Sequence, residues 1–313
     1  MNGGSSEMTP LSEKIFADWQ VRKTKKQKTA FIQFMQSQIP GLKVEKGGFG
    51  GNRNLVLGDV ASAKVIFGAH YDTCARMFFP NFLTPKNILL YIGYSLLICL
   101  PFFIIAPVFG MLASKLTDNF LLIWSGTFLP TMALLLLVFM GGKPNPNTAN
   151  DNTSGVITLC ELMAAMTAEE LAQTAFVFFD NEENGLLGSY YFSKLHKKDG
   201  LKEKLMLNYD CVSDGDHMLF VQNKAAYQQY WQALAEAFPS GEGKTVYLEK
   251  SSNTLYPSDQ ANFPVSVGIA AMNKKKGVGL YMARIHTIRD TVFQQENIRF
   301  LVDGTKRLLG KIL

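Results

Sequence analysis

Two long stretches without charged residues interrupt an otherwise mixed pattern of hydrophobic and polar positions. The first runs from Asn87 to Ser114 and the second from Asn119 to Gly142. A bilayer core about 30 Å thick needs about 20 helical residues, so each stretch is long enough to cross it. The segment Lys-Leu-Thr-Asp between them is too short to form a domain. The pattern therefore predicts a transmembrane helical hairpin over residues 87–142.

Two other interpretations of the hairpin stay open at this point. It could be buried inside a soluble protein, or it could lie on a membrane or dock a partner without crossing. If it crosses, the flanking charges favour an orientation. Arg76, Lys86 and Lys143 lie on the side shared by both chain ends, whereas Lys115 at the tip is offset by Asp118. Positively charged flanks tend to stay in the cytoplasm, so we expect a membrane protein with its main domain on the cytoplasmic side.

The rest of the chain predicts an α/β fold. Strands are expected where short apolar runs occur, and two of them, Lys64–Ala69 and Thr174–Asp180, should be buried. The others are Leu42–Val44, Asn54–Leu57, Lys204–Cys211, Met218–Val221 and Val265–Met272. Helices are expected at 11–39, where the basic run Arg22–Lys28 should lie beside solvent or lipid headgroups, and at 153–171, 185–196, 225–238 and 296–313. Alternating strands and helices predict a three-layer sandwich with a mostly parallel central sheet. We therefore expect one discontinuous domain (11–86 and 143–313), the inserted hairpin (87–142) and a flexible tail (1–10).

Composition excludes several classes of protein. A chain that is 47% hydrophobic with 23 Phe is not intrinsically disordered. Its net charge of +5 is small and scattered, so the sequence does not favour nucleic acid as a partner. The four cysteines form no CxxC pair, and the N-terminus has no basic segment followed by an apolar one. We expect reduced thiols and no cleaved secretory signal.

Ionisable residues recur where the predicted strands end. Each has an ordinary structural alternative when considered alone: a hydrogen-bonded core histidine for His70, a helix N-cap for Asp151, and solvated loop carboxylates for the glutamate pair. The full set comprises His70 and Asp72, Asp151, Glu182 and Glu183, Asp210, and His286. In parallel sheets, ligands bind beyond the carboxyl ends of the strands, which is where these residues are predicted to lie.

This inventory of two histidines, three acidic ligands and a spare glutamate suits two zinc ions that share one carboxylate. Catalytic zinc takes imidazole and carboxylate ligands and keeps a position open for water. Two metal ions about 3.5–4 Å apart can activate a water molecule together, and a nearby glutamate can act as general base. Co²⁺ or Mn²⁺ are possible replacements for Zn²⁺.

The ordered motifs resemble those of the M28 family of zinc aminopeptidases, over roughly Leu11 to Leu313. They are His70-x-Asp72, Asn150-Asp151-x-x-Ser154-Gly155, Glu182-Glu183-x-Gly185-Leu-x-Gly188-Ser189, Asp210 and His286. The resemblance implies a mixed sheet between helices and substrates that are peptides with a free N-terminus. It also implies that Asp151 bridges two zinc ions, one bound by Glu183 and His286, the other by His70 and Asp210. Glu182 would be the general base, and Asp72 would orient His70.

Two features depart from the family pattern. The first is Ser258-Asp259-Gln260, where the family often has Ser-Asp-His; Tyr256, just before it, is either a packing residue or a group that steadies the oxyanion. The second is the hairpin, which would hold the active site near the membrane. Two functional alternatives remain beside a membrane-anchored aminopeptidase: a glutaminyl cyclase of the same family, and a non-enzymatic membrane adaptor.

Overall fold

The computed structural model describes residues 8–241 and 243–313. Its helices are α1 Pro10–Asp18, α2 Lys25–Gln38, α3 Ile88–Ser114, α4 Phe120–Phe139, α5 Gly155–Ala165, α6 Ala168–Ala172, α7 Leu187–Leu195, α8 Lys224–Ala237 and α9 Gln295–Ile312. Its strands are β1 Lys43–Gly47, β2 Asn52–Leu57, β3 Val65–His70, β4 Thr174–Phe179, β5 Leu205–Tyr209, β6 His217–Gln222, β7 Thr245–Lys250, β8 Ser266–Lys275 and β9 Gly279–Tyr281. Residues 1–7 of the predicted tail lie outside the described residues, whereas Thr9 caps α1 and Pro10 begins it.

The strands form one mixed sheet in the order β1-β2-β4-β3-β5-β8-β6-β7, with β9 paired to β8. The central strands β4, β3, β5 and β8 run parallel to one another. The pairs β1/β2, β2/β4, β6/β8 and β8/β9 are antiparallel. This arrangement confirms the predicted α/β class with a mixed, mostly parallel sheet.

The central strands are buried along their whole length, as their continuous apolar sequences predict. Every residue of β3, β4 and β5 is buried. Their side chains alternate between two cores. On one face Phe67 and Phe176 pack with the helices, and on the other Ile66 and Val177 pack with Phe263. Because these strands are fixed on both faces, their carboxyl ends form a rigid edge.

The single helix predicted over residues 11–39 is wrong. The helix is interrupted between Asp18 and Lys25, because Thr24 and Gln27 form a capping box that starts a second helix. The break also buries Arg22, whose guanidinium donates to the main-chain oxygen of Tyr71 (2.5 Å). Lys28 is buried as well and pairs with Asp180. The prediction that the basic run Arg22–Lys28 lies beside solvent or lipid headgroups is therefore wrong for both side chains.

A second predicted helix, over residues 153–171, also divides into two. Its first part, α5, ends at Ala165, and Thr167 with Glu170 forms the capping box of α6. The predicted strands all form, but β7 and β9 were not predicted. Strand β7 is a half-exposed edge strand and β9 has three residues, so neither has the apolar run of a buried strand.

The hairpin leaves the sheet after β3 and returns before α5. Among the described residues, α3 and α4 are the helices long and apolar enough to cross a membrane. At 1.5 Å per residue they extend about 40 Å and about 30 Å. Phe102 is the one residue of either helix that is buried. The hairpin is therefore not buried in the core of this chain. At its base, the Arg76 amide donates to the Lys143 oxygen (2.8 Å), so its two ends are adjacent.

Candidate metal centre

The predicted ligands come together at the carboxyl edge of the sheet. His70 ends β3, Glu182 and Glu183 follow β4, and Asp210 follows β5. Because these three strands are parallel neighbours, their ends bring the side chains to one place. Asp151 arrives from the irregular turn Ala149–Ser154 before α5, and His286 from the loop after β9.

Asp151 lies between two histidine–carboxylate pairs. Its Oδ1 is 3.4 Å from Nε2 of His70, and its Oδ2 is 3.1 Å from Nε2 of His286. His70 Nε2 is also 3.4 Å from Asp210 Oδ1, and His286 Nε2 is 3.3 Å from Glu183 Oε2. These two groups are the ones that the family resemblance assigns to two zinc ions, with Asp151 contributing one oxygen to each.

The donor set fits divalent cations. Glu183 Oε1 and Asp210 Oδ1 are buried and have no hydrogen-bond partner among the described residues. A buried carboxylate oxygen without a partner is costly, and binding to a cation removes that cost. Imidazole and carboxylate are also the ligands that zinc accepts. The ligand atoms of His70, Asp151 and Asp210 lie within 4.8 Å of one another, as one ion requires.

Cys74 lies beside the group formed by Asp151, Glu183 and His286, although the sequence did not predict it as a ligand. Its sulfur, together with Asp151, Glu183 and His286, falls within the same 4.8 Å limit. Burial and the nearby carboxylates raise the pKa of the thiol well above its usual value. The donors that the family resemblance assigns to this ion remain His286, Glu183 and Asp151, and Cys74 lies beside them.

Burial and mutual contact shift the pKa of most groups in the cluster. Burial raises the pKa of Glu182 well above its ordinary value and that of Glu183 to about 8. Burial would lower the pKa of His286, but Glu183 and Asp151 raise it to about 9. Burial would raise the pKa of Asp151, but hydrogen bonds from His286 and His70 lower it. Such shifts are typical of functional sites.

Asp72 contacts both His70 and the glutamate loop. Nδ1 of His70 lies 3.1 Å from the main-chain oxygen of Asp72 and 3.6 Å from its carboxylate. The carboxylate accepts hydrogen bonds from the main-chain amides of Glu182 (3.0 Å) and Glu183 (3.3 Å). Asp72 therefore fixes the position of the two glutamates as well as the ring of His70.

The Asn150–Gly155 motif joins the Asp151 turn to the loop after β5. Oδ1 of Asn150 accepts from the amide of Ser213 (2.7 Å), and Oγ of Ser154 accepts from that of Val212 (3.0 Å). Gly155 permits close packing here, since a Cβ atom at this position would lie 2.2 Å from the Tyr209 oxygen. The motif thus holds Asp151 and Asp210 in register.

Sequence reasoning missed the role of Asp290. Its two carboxylate oxygens accept from the main-chain amides of Asn150 (2.9 Å) and Asp151 (3.0 Å). Burial and the charge of Asp151 raise the pKa of Asp290 to about 7. The only sequence signal was a carboxylate four positions after His286. His286 itself has φ +63°, an uncommon conformation outside glycine that often marks functional sites.

Tyr256 and Gln260 lie beside the cluster. The Tyr256 hydroxyl donates to the main-chain oxygen of Asp210 (2.8 Å), and the side chain lines the cavity that contains the ligands. Gln260, which stands where the family often has histidine, accepts from Asn208 (3.0 Å) and donates to the Tyr256 oxygen (2.8 Å). Its amide therefore supports the Tyr256 segment from below.

The ligand cavity measures about 250 Å³. It is lined by the metal cluster, by Tyr256 and, from the hairpin, by Tyr91. The ends of the central strands form its floor. The structure thus brings the start of α3 directly to the candidate site.

Comparison with known proteins identifies the family. Residues 137–300 match Peptidase family M28. The chain belongs to this family. M28 membership supports a hydrolase of the metallopeptidase type with peptide substrates. No curated protein sequence matches the chain significantly.

Solved structures share the fold of this M28 peptidase at low sequence identity. A glutaminyl cyclase from an Acidobacteriales bacterium has a TM-score of 0.58 and 16% identity, over 100% of this chain and 97% of the other. A Zn-dependent exopeptidase from Parabacteroides distasonis gives 0.55 and 14%, over 96% and 94%. The LapA aminopeptidase of Legionella pneumophila gives 0.54 and 12%, over 96% and 68%. These similarities confirm the zinc exopeptidase-like fold.

Proposed function

We propose that this M28 peptidase is a membrane-anchored aminopeptidase that hydrolyses the N-terminal peptide bond of peptides and uses two Zn²⁺ ions. The observation that supports the proposal is the position of Asp151, with one carboxylate oxygen facing His70 and the other facing His286. His70 and Asp210 would hold one ion, and Glu183 and His286 the other, with Asp151 shared between them.

The ions, when bound, supply Lewis acidity that activates water and polarises the substrate carbonyl. The other tasks fall to side chains of this protein. Glu182, whose Oε2 is 4.0 Å from Nε2 of His70, takes a proton from the attacking water and delivers it to the leaving nitrogen. The amide C–N bond breaks, and a carboxylate and an amine result. Asp72 keeps Glu182 in place through its main-chain amide.

The hairpin anchors the protein in this proposal. Its apolar side chains are exposed along both helices, and an apolar surface of this extent needs cover by lipid or by a partner. Each helix is long enough for the bilayer core. The catalytic domain lies on the cytoplasmic side, because the basic residues Arg76 and Lys143 flank the base of the hairpin.

The test is metal content and hydrolysis of a panel of aminoacyl-arylamides by detergent-purified protein, wild type beside Glu182→Gln. We expect about two zinc ions in both proteins. Loss of general base catalysis should reduce kcat about 10²- to 10⁴-fold in the variant. Full activity of Glu182→Gln with metal bound would refute the assignment of Glu182.

A second candidate function is supported by one comparison. Two glutaminyl cyclases share the fold over nearly the full length of both chains. A cyclase would convert an N-terminal glutamine to a cyclic amide with release of ammonia. Ammonia release from glutaminyl peptides, without hydrolysis of arylamides, would favour the cyclase. Absence of both metal and activity would leave a membrane adaptor.

A further inference from the structure

One face of α3 is directed toward the metal cluster. Tyr91, Tyr94, Ser95 and Ile98 follow the spacing of residues that share a helix face, and all are partly buried. Leu97, on the other side of the helix, is 65% exposed. The Tyr94 hydroxyl donates to the Pro80 oxygen (2.8 Å), which fixes this face against the loop after β3.

Three adjoining cavities, each sharing wall residues with the next, lie between the cluster and the hairpin helices. The ligand cavity shares Tyr91, Glu183 and His286 with a second cavity of about 340 Å³. The second shares Ile98 and Phe139 with a third of about 590 Å³. Ligand pockets commonly measure about 300–1,000 Å³, so the second and third are each large enough for a ligand group.

The third cavity has aliphatic and aromatic walls. Besides Ile98 and Phe139, the two helices contribute Pro101, Phe102, Ile105, Leu134, Leu137 and Val138 to its walls. Arg76 and Lys143 stand at the base of the hairpin, where both are exposed. A peptide main chain placed between these walls would lose hydrogen bonds to water and find no side-chain partner there, which is costly. An alkyl chain has no such groups to satisfy.

We infer that the preferred substrates are amides that carry a long alkyl chain next to the scissile bond, with the chain lying in the second and third cavities. This inference rests on the proposed amide hydrolysis. Water adds its hydroxyl to the acyl carbon and its proton to the nitrogen as the C–N bond breaks. The hairpin is then part of the substrate site as well as an anchor.

The first experiment measures kcat/KM for two series of amides in nanodiscs. In one, alanine N-alkylamides carry chains of two to ten carbons on the leaving nitrogen. In the other, the substrates are anilides of 2-amino acids whose side chain is an unbranched alkyl chain of increasing length. Each kcat/KM is calculated from the concentration of substrate free in water, so that partitioning of the longer chains into lipid does not contribute to the trend. Ile98→Trp blocks the junction of the two cavities, and Leu97→Trp is the matched control on the lipid-facing side.

We expect kcat/KM to rise with chain length in at least one series. A rise of about fourfold per methylene corresponds to about 0.8 kcal/mol per buried methylene. Ile98→Trp should flatten that rise, so that its kcat/KM values for the shortest and the longest amides become similar. Leu97→Trp should preserve the rise. Hydrolysis of ethylamide without any rise, or the same rise in Ile98→Trp, would overturn the inference but not the proposed hydrolase.

The second experiment reports binding without turnover. The Cys99 thiol lines the second cavity, and the other three cysteines are buried. Decylamine, the amine released from the longest alanine N-alkylamide, should slow alkylation of Cys99 by N-ethylmaleimide at least threefold in wild type and Leu97→Trp, but not in Ile98→Trp. Equal alkylation rates with and without the amine would show that the alkyl chain does not lie in this cavity and would overturn the inference. Absence of hydrolysis of every amide by metal-loaded protein would overturn the proposed function and this inference together.

Discussion

The carboxylate of Asp290 determines where Asp151 lies. This buried carboxylate accepts hydrogen bonds from two consecutive main-chain amides, those of Asn150 and Asp151. Asp151 in turn must present one oxygen to each histidine. A displacement of this short turn would change both halves of the cluster at once, so Asp290 acts as a positioning residue.

Asp290→Asn should weaken zinc binding about 10- to 100-fold, the usual effect of losing a group that holds a metal ligand in place. The amide keeps one acceptor oxygen but turns an NH₂ group toward the second main-chain amide. Zinc affinity is measured by competition with a chromophoric chelator. Asp303→Asn is the control, because Asp303 is an exposed carboxylate of α9. Equal zinc affinity in the two variants would contradict this role for Asp290.

At the residue scale, the sequence was informative where a side chain ended a buried strand. His70, Glu183 and Asp210 could be grouped because parallel strands share an edge. Asp290 could not, since its function depends on the fold of a loop that has no pattern of its own. Cys74 was likewise not predictable as a neighbour of His286, because more than two hundred residues separate them in the sequence.

Elements were predicted well when burial and periodicity agreed. The fully buried β3 and β4 were predicted to within one residue at each end, whereas the half-exposed β7 has no apolar run that would have indicated a strand. The prediction of helix ends was wrong where capping residues lay inside an apparently continuous helical pattern, at Thr24 and at Thr167. A capping box starts a new helix through hydrogen bonds of two side chains, and hydrophobic periodicity does not reveal such bonds.

The end of α7 is joined to β1 by a histidine with two acidic partners. Nε2 of His196 lies 3.0 Å from Glu45, and Nδ1 lies 2.6 Å from Asp199. Burial alone would lower the pKa of His196, but these contacts raise it above the ordinary value near 6.5. The stability that protonated His196 provides is therefore complete below about pH 6.5 and is lost as pH rises through the raised pKa.

His196→Gln should lower Tm in detergent at pH 6 and have a smaller effect at pH 9. The loss at pH 6 should be at most about 1 kcal/mol, the range of partly exposed ion pairs. His217→Gln is the control, because burial and Lys274 lower the pKa of His217. Its protonation disfavours folding, so that variant should gain relative stability as pH falls. An effect of His196→Gln that is the same at both pH values would refute the assignment.

At the scale of the whole molecule, the base of the hairpin lies on the same side as the sheet edge that carries the predicted metal ligands. The main-chain amide of Arg76 donates to the main-chain oxygen of Lys143, and Nζ of Lys23 donates to the main-chain oxygen of Met140 at the end of α4 (2.6 Å). Three basic residues, Lys23, Arg76 and Lys143, thus lie at the base of the hairpin, while the tip carries Lys115 and Asp118. If the helices cross the bilayer, this asymmetry sets their direction.

We expect the tip outside the cytoplasm and the catalytic domain inside it. Leu116→Cys places a thiol in the tip turn, and Leu195→Cys places one on the exposed end of α7; both leucines are exposed and uncharged. A membrane-impermeant maleimide should label Leu116→Cys in intact cells and Leu195→Cys after permeabilisation alone. The reverse pattern would invert the orientation. Labelling of both only after permeabilisation would mean that the hairpin lies on the membrane or on a partner without crossing, because neither side of such a hairpin reaches the exterior.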